Sequence, residues 1–425
     1  MVLLISLHRL CREGELDQKL RAIHINHGIN PGADDWQAFC EASCRRLKVP
    51  LDTVQLELGS MAIDNLEERA RNARYDEFES RLGSDDCLLM GHHRDDQMET
   101  LLLRLMRGSG PKGLAGIPIT RKLGNSKLLR PLLIFDRSAL RQYALHKEIN
   151  WIEDDSNQSI DFDRNYLRLK IMPLLGNRWP GYRESWDKSL QLSQEAELLL
   201  TELAELDLES VVTKDRQVIN LAALTTLNEP RQRNLLRYWL TSIGFPSLGW
   251  QRLLKLSREI ISARPDSSAD LSCGDGKLQR YREELYALKK TQLFNPEIQG
   301  WNLHHQLSLG LPGNGQLSAA LRVQDTKLGS QGGLLRADIG ELTVCYRNGG
   351  EAFRPAKRPT KSLKSLLQEA GIAPWFRDRQ PLIFLQDKLV CIPGIGVGEE
   401  FSVEAGESGY KVSWKPPNLL YVKAE

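Results

Sequence analysis

The sequence predicts an α/β protein: a doubly wound parallel sheet, then a helical domain, then a small α+β C-terminal domain. Three observations lead there. Short apolar stretches alternate with amphipathic ones through the first hundred residues, as in βαβ units with right-handed crossovers. Residues 189–209 form one Leu/Glu-rich amphipathic stretch, a single connecting helix. Beyond about Trp301 the chain turns to short alternating stretches rich in Gly, Leu and Val. Domains are expected at 1–188, 189–292 and 297–425.

Residues 1–10 place Leu3, Leu7 and Leu10 at helical spacing, predicting a buried helix. It opens without a cap, although the first amides of a helix need partners. A doubly wound domain normally sets a strand and a glycine-rich turn before such a helix. Strands are then expected at 20–25, 51–56 and 87–91, with helices at 34–47, 65–82 and 94–107 between and after them. Further helices are read at 138–147 and 163–175. Residues 221–290 read as mostly helical, and no internal repeat is evident.

The 425 residues are 41% apolar and 26% charged, with 19 Pro and 33 Gly. That excludes collagen-like, coiled-coil and wholly disordered chains. A formal charge of +2 decides nothing about anionic partners, so the distribution of charge must. No stretch reaches the ~18 apolar residues of a membrane helix. MVLLISLHRL lacks the basic leader and small-residue cleavage site of a signal peptide. Seven Cys without a C-x-x-C pair suit the cytoplasm.

The strongest motif is Gly91-His92-His93-Arg94-Asp95-Asp96-Gln97-Met98-Glu99-Thr100. It follows an expected strand and opens an expected helix, at the sheet edge where ligands bind. Asp95, Asp96 and Glu99 there could hold Mg²⁺ on a phosphate chain, although acids favour helix N-termini in any case. A second reading has His92 and His93 ligating Zn²⁺ or Mn²⁺ with Asp95 or Asp96 in a hydrolase. Adjacent His side chains diverge, however, and no distant His/Cys set completes a tetrahedral site.

Asn26, His27 and Gly28 fall at the end of the first expected strand. There Gly allows close backbone approach to a ligand, or the three form only a polar turn. On the next helix, Glu67 and Arg71 stand four apart, as do Glu68 and Asn72, which suits a solvated salt-bridged face. Arg71 and Arg74 could instead clamp phosphate.

Residues 104–130 hold seven basic side chains and no acid: Arg104, Arg107, Lys112, Arg121, Lys122, Lys127 and Arg130. This Gly-rich stretch reads as a basic, flexible loop that clamps a polyanion. Residues 151–157 and 163–168 combine acids with Arg164 and Arg168. They suit a cationic or amino-acid substrate, or capping and helix-face salt bridges. Two further basic stretches carry interleaved aromatics. Residues 229–264 have seven Lys/Arg, including Arg231, Arg233 and Arg237, against two acids. Residues 347–379 have eight, including Lys357, Arg358, Lys361 and Lys364, against three. Such faces suit RNA backbone and unstacked bases.

These motifs carry a family resemblance. GHHRDDQMET is preceded by AIHINHG and ERARNARY, and followed by RGSGPKGLAGI, LLRPLL, WIEDDSN…DRNYLR and RNGGEAFRP…KSLKSLLQEAGIAPWFRDRQPLIF. In that order they resemble the tRNA(Ile)-lysidine synthases, a family of the N-type, PP-loop ATP pyrophosphatases. The resemblance implies ATP and Mg²⁺ as cofactors. Its expected partners are free L-lysine and an isoleucine tRNA with a CAU anticodon, with a homodimer possible and no membrane. It implies adenylation of the wobble cytidine, then attack by the lysine amine, with release of AMP and pyrophosphate. By resemblance, Asp95, Asp96 and Glu99 contact Mg²⁺ and lysine, with Asp95 and Asp96 as the metal ligands. Arg71 and Arg74 meet phosphate or tRNA, and Asn26, His27, Gly28, Gly91 and His92 border the nucleotide.

The family carries a Ser-Gly-Gly-x-Asp-Ser loop after its first strand, cradling phosphates through backbone amides. This sequence has none, and Met1 falls just past where that loop would end. The expectation is an N-terminally truncated PP-loop domain. Alternative readings are a non-catalytic tRNA-binding relic, a metal-dependent hydrolase, or another PP-loop enzyme such as a tRNA thiolase. The last commonly needs paired Cys.

Overall fold

A computed structural model of the chain describes residues 1–26, 28, 30–56, 66–213, 215–262, 270–290, 294, 296–324 and 333–420, with backbone only at 66–68 and 156. It divides into two units, Met1–Leu200 and Thr201–Glu425.

In the first unit, β1 (Ala22–Asn26) and β2 (Leu51–Gln55) pair in parallel, with α2 (Ala33–Leu47) as the crossover. Helix α3 (Leu66–Arg81) leads to β3 (Cys87–Leu89), and α4 (Arg94–Met106) follows directly. The 104–130 stretch is not an open loop. It folds into a short helix α5 (Pro111–Leu114) and a hairpin of β4 (Thr120–Leu123) and β5 (Ser126–Leu129). Gly124 takes positive φ in the tight turn, as primed hairpin turns require. Strand β5 also pairs in parallel with β3. Phe78, Leu123 and Leu128 are buried beneath this sheet against Ile23, Ile25 and Leu88.

The first helix, α1 (Val2–Arg12), forms, but none of its residues is buried. That corrects the expectation of a buried helix. Helix α6 (Arg137–His146) is followed by α7 (Asp163–Tyr166), a wide π turn at Leu167–Ile171, and α8 (Met172–Arg178). Pro173 lies just beyond that turn. A proline cannot donate the next helical bond, and wide turns accommodate such gaps. Helix α9 (Tyr182–Val211) then runs for 30 residues. Met98 and Leu101 of α4 pack against Met172, Tyr182 and Leu190. At roughly 1.5–3 kcal/mol per buried large side chain, this cluster fixes α4 and the chain around α8 to one another.

In the second unit, helices α10 (Leu221–Thr226), α11 (Glu229–Ser242) and α12 (Trp250–Lys255) pack on an antiparallel sheet. Its strands are β6 (Val218–Asn220), β7 (Asp270–Cys273), β8 (Gly276–Tyr281) and β9 (Glu284–Lys289), in the order β6-β9-β8-β7. These strands correct the expectation of a mostly helical 221–290. Gln279 and Arg280 are buried in β8, so the strand lacks a clean apolar alternation. Arg280 is satisfied by the carbonyls of Ile261 at 2.7 Å and Arg282 at 2.9 Å. The remainder packs a five-stranded antiparallel sheet against a four-stranded one, around Trp301, Leu317, Val344 and Ile383. Among the described residues, no helix is long and apolar enough to cross a membrane. All seven cysteines are free.

Candidate active site

The site grows from the junction of β3 and α4. The Asp96 carboxylate accepts the His93 N–H at 2.9 Å, capping α4 from within. That turn places Asp95, Asp96 and Glu99 beside α7 and the residues after it. Glu99 is only 1% exposed. It accepts two bonds from Arg168, at 2.7 and 2.9 Å, and one from Arg164 at 2.7 Å. Arg164 also reaches Asp96 at 2.9 Å. Asp95 accepts the Arg137 backbone N–H at 2.7 Å and the Arg183 guanidinium at 3.1 Å. Burial pushes the Asp95 carboxyl up, but the Arg137 N–H and Arg183 outweigh it and hold the group below its usual value. Asp95, Glu99, Arg137, Arg168 and Arg183 line a cavity of ≈ 230 Å³, with Met172 and Pro173 on its apolar side.

Each oxygen of Asp95 and Asp96 therefore already accepts a hydrogen bond. Among the described residues, no group of three or more His, Cys, Asp or Glu is placed to hold a metal ion. Each of these oxygens keeps a second lone pair beside its hydrogen bond, so the Mg²⁺ ligation expected at Asp95 and Asp96 stays open to both carboxylates.

His92 accepts a bond from Arg130 Nε to its Nδ1 at 3.3 Å. Since the guanidinium can only donate, the ring proton sits on Nε2. Burial outweighs the attraction of Asp96 and, with Arg130, Arg164 and Arg71 nearby, pushes His92 down to about 4. An unfolded histidine titrates near 6.5, so on acidification the unfolded chain takes up this proton first. His92 should therefore subtract stability as pH falls from about 6.5 towards 4, and nothing above that window. Urea midpoints of the wild type and His92→Gln, compared between pH 7 and 4.5, check this. The wild type should lose more.

Arg71 of α3 lies 5.5 Å from the Tyr75 ring centroid, and Arg121 of β4 lies 4.4 Å from it. Burial lowers the pKa of Arg74, with Arg71 adding to the effect. Burial likewise lowers Arg104 and Arg130, both within reach of the Arg71 charge. This cationic cluster suits an anion.

Asn26 is buried and tied to the fold. Its Nδ2 donates to Asp34 at 3.0 Å and Gln37 at 3.1 Å, while its Oδ1 accepts the Gly28 N–H at 2.9 Å. Gly28 has a φ of +64°. Gly91 is an open position at the end of β3, where an added Cβ would meet nothing within 4 Å. His27 lies outside the described residues.

Of the basic residues, Arg104 donates to the carbonyls of Gly113 at 2.6 Å and Gly116 at 2.7 Å. It staples α5 to α4. Arg107, Lys112, Arg121 and Lys122 are exposed. Arg231 pairs with the buried Asp207, and Arg233 pairs with Glu229 at 3.0 Å. Arg237 is half-buried. Arg358 and Lys361 share Glu369, at 3.2 and 2.5 Å, while Lys357 and Lys364 are exposed.

Similarity to known proteins bears on this geometry. A family model described as a PP-loop domain matches residues 1–175. Models described as the TilS substrate binding domain and the TilS substrate C-terminal domain match 219–286 and 342–414. A tRNA(Ile)-lysidine synthase of Coxiella burnetii (strain RSA 493 / Nine Mile phase I) is 38% identical over 98% of this chain and 91% of its own. This chain belongs to the tRNA(Ile)-lysidine synthase family. The tRNA(Ile)-lysidine synthase of Serratia proteamaculans (strain 568) is 35% identical over 94% of this chain and 89% of its own. A solved U34-tRNA thiolase from Methanococcus maripaludis aligns with 45% of this chain and 68% of its own, at 19% identity and a TM-score of 0.37.

Within that family frame, the arginines at 137, 164, 168 and 183 complete the acidic cluster. The sequence marks Arg164 and Arg168 but not their partners, and gives no sign of Arg137 or Arg183. The spacing of Arg164 and Arg168, one helical turn apart after a run of acids, is the available signal.

Proposed function

We propose that this chain is a carbon–nitrogen ligase that joins free L-lysine to the wobble cytidine of an isoleucine tRNA with a CAU anticodon, at the expense of ATP. The near-full-length match to a tRNA(Ile)-lysidine synthase carries the reading. In the first step the cytidine O2 attacks the α-phosphorus of ATP and pyrophosphate leaves. In the second, the lysine side-chain amine bonds to C2, the C2–O bond breaks, and AMP departs with that oxygen. The amine must lose a proton, and a carboxylate in reach can take it. Asp96 is the carboxylate assigned that task, with Asp95 beside it contacting the lysine. Glu99, locked to two arginines, serves to hold them.

The mixed acid–arginine cavity beside Asp95 suits an amino acid, which carries both charges and an aliphatic stem. The cationic cluster of Arg71, Arg74, Arg121 and Arg130 suits the phosphates of ATP or of the tRNA. Mg²⁺ belongs to this proposal as the counter-ion of the ATP phosphates. A cytoplasmic location and a homodimer complete it, the latter tested by mass in solution.

Labelled lysine, ATP, Mg²⁺ and an isoleucine tRNA transcript test the reading. Lysine-dependent AMP release with label in the tRNA supports it. Binding of tRNA without either product would favour the non-catalytic relic.

The exposed cations of 104–130 give a separate test. Replacing Lys112, Arg121 and Lys122 with alanine should weaken tRNA binding. It should also flatten the log–log salt slope by about 0.7–0.9 for each phosphate that is no longer neutralised. An unchanged slope would remove these residues from the RNA interface.

A further inference from the structure

We propose that Arg183 binds the carboxylate of the amino-acid co-substrate and makes the enzyme select an amino acid over a bare amine. This rests on the lysine-transfer reading above. Four arginines line or border the ≈ 230 Å³ cavity: Arg137, Arg164, Arg168 and Arg183. Their engagements differ. Arg168 is held by two bonds to Glu99, and Arg164 bridges Glu99 and Asp96. Neither can turn to a ligand without leaving a carboxylate that is 1% exposed. Arg137 is exposed, and its backbone N–H is its contribution to Asp95.

Arg183 is different. One bond of 3.1 Å ties it to Asp95. Its guanidinium lies over the Tyr182 ring, 4.8 Å from the centroid. Its Nε is shielded from solvent and meets no acceptor among the described residues. A guanidinium presents five donors in a planar fork that matches a carboxylate. A planar cation over an aromatic face, with donors to spare and Asp95 as its one hydrogen-bonded acid, is set to receive a second carboxylate. Asp95 beside it can take the ammonium of the same zwitterion. Met172 and Pro173 offer an apolar wall for the methylene stem. The α-amino-acid head would thus be read by the Asp95–Arg183 pair as a unit.

The test compares lysine with cadaverine, which has the same carbon chain and amines but no carboxylate. Wild type, Arg183→Gln and Arg183→Lys are assayed for transfer to the tRNA and for equilibrium binding of each amine. Loss of a charged hydrogen-bond pair is expected to raise the KM for lysine by about 10–100-fold. The KM values for ATP and tRNA should stay put, and cadaverine should be used as before. The lysine-over-cadaverine preference should therefore collapse in Arg183→Gln and partly return in Arg183→Lys. An unchanged preference overturns the assignment. So does an equal loss for both amines, which would show Arg183 acting only by holding Asp95. If the wild type binds and transfers no lysine at all, the parent reading falls and takes this assignment with it. A wild type that transfers lysine while Arg183→Gln keeps the preference overturns the assignment alone.

Discussion

Replacing Glu99 with alanine should cost about 3–5 kcal/mol, the penalty for breaking a buried ion pair by removing one partner. Two guanidiniums, of Arg164 and Arg168, would lose their shared acceptor. Their side chains are 34% and 20% exposed, so water can soften the loss and the lower end of that range is expected. Urea titration of the first unit's transition measures it. Glu99→Gln keeps the shape and one acceptor oxygen, and should recover part of the loss. A drop below about 1 kcal/mol for the alanine variant, as for a surface pair, would mean that the cluster is not a structural keystone.

Asp96→Ala should cut lysine transfer by at least about 100-fold, the lower bound for losing a positioned proton acceptor. Binding of tRNA should stay within about twofold. The stability cost should be smaller than for Glu99, about 1 kcal/mol, since the change removes a helix cap and the less buried end of the Arg164 bridge. Asp96→Asn retains an acceptor for the His93 N–H and separates the two effects. It should keep the fold and still fail in transfer. Full transfer by either variant would remove Asp96 from the chemistry.

How much of this was legible in the sequence depends on chain separation. The α4 acids stand out because they are contiguous and follow a strand. Their partners do not, because Arg164, Arg168 and Arg183 lie 65 to 88 residues further on. A run of alternating charge along a helix gives no address for its counter-ions. The reading of 104–130 as a flexible loop fails for a related reason. Arg104 is spent on the carbonyls of Gly113 and Gly116, and Arg121 rests over the Tyr75 face while staying exposed. Basic residues thus tether the segment that composition alone would leave loose. Asn26 and Gly28 read equally as ligand contacts or as a turn. Their mutual bond, and the bonds of Asn26 to Asp34 and Gln37, build a turn at the end of β1 that a ligand can still border.

The π turn at Leu167–Ile171 changes the phase of the rod that contains it. Arg164 and Arg168 precede or open the wide turn and serve Glu99, whereas Met172 and Leu175 follow it and serve the apolar cluster. A regular helix turns about 100° per residue, so one extra residue resets which way everything downstream points. The polar and apolar duties of this rod are thus reconciled by a counting error of one. A chain lacking a single residue here would keep its helix and its composition. It would still have to surrender either the arginine pair or the grip on the core.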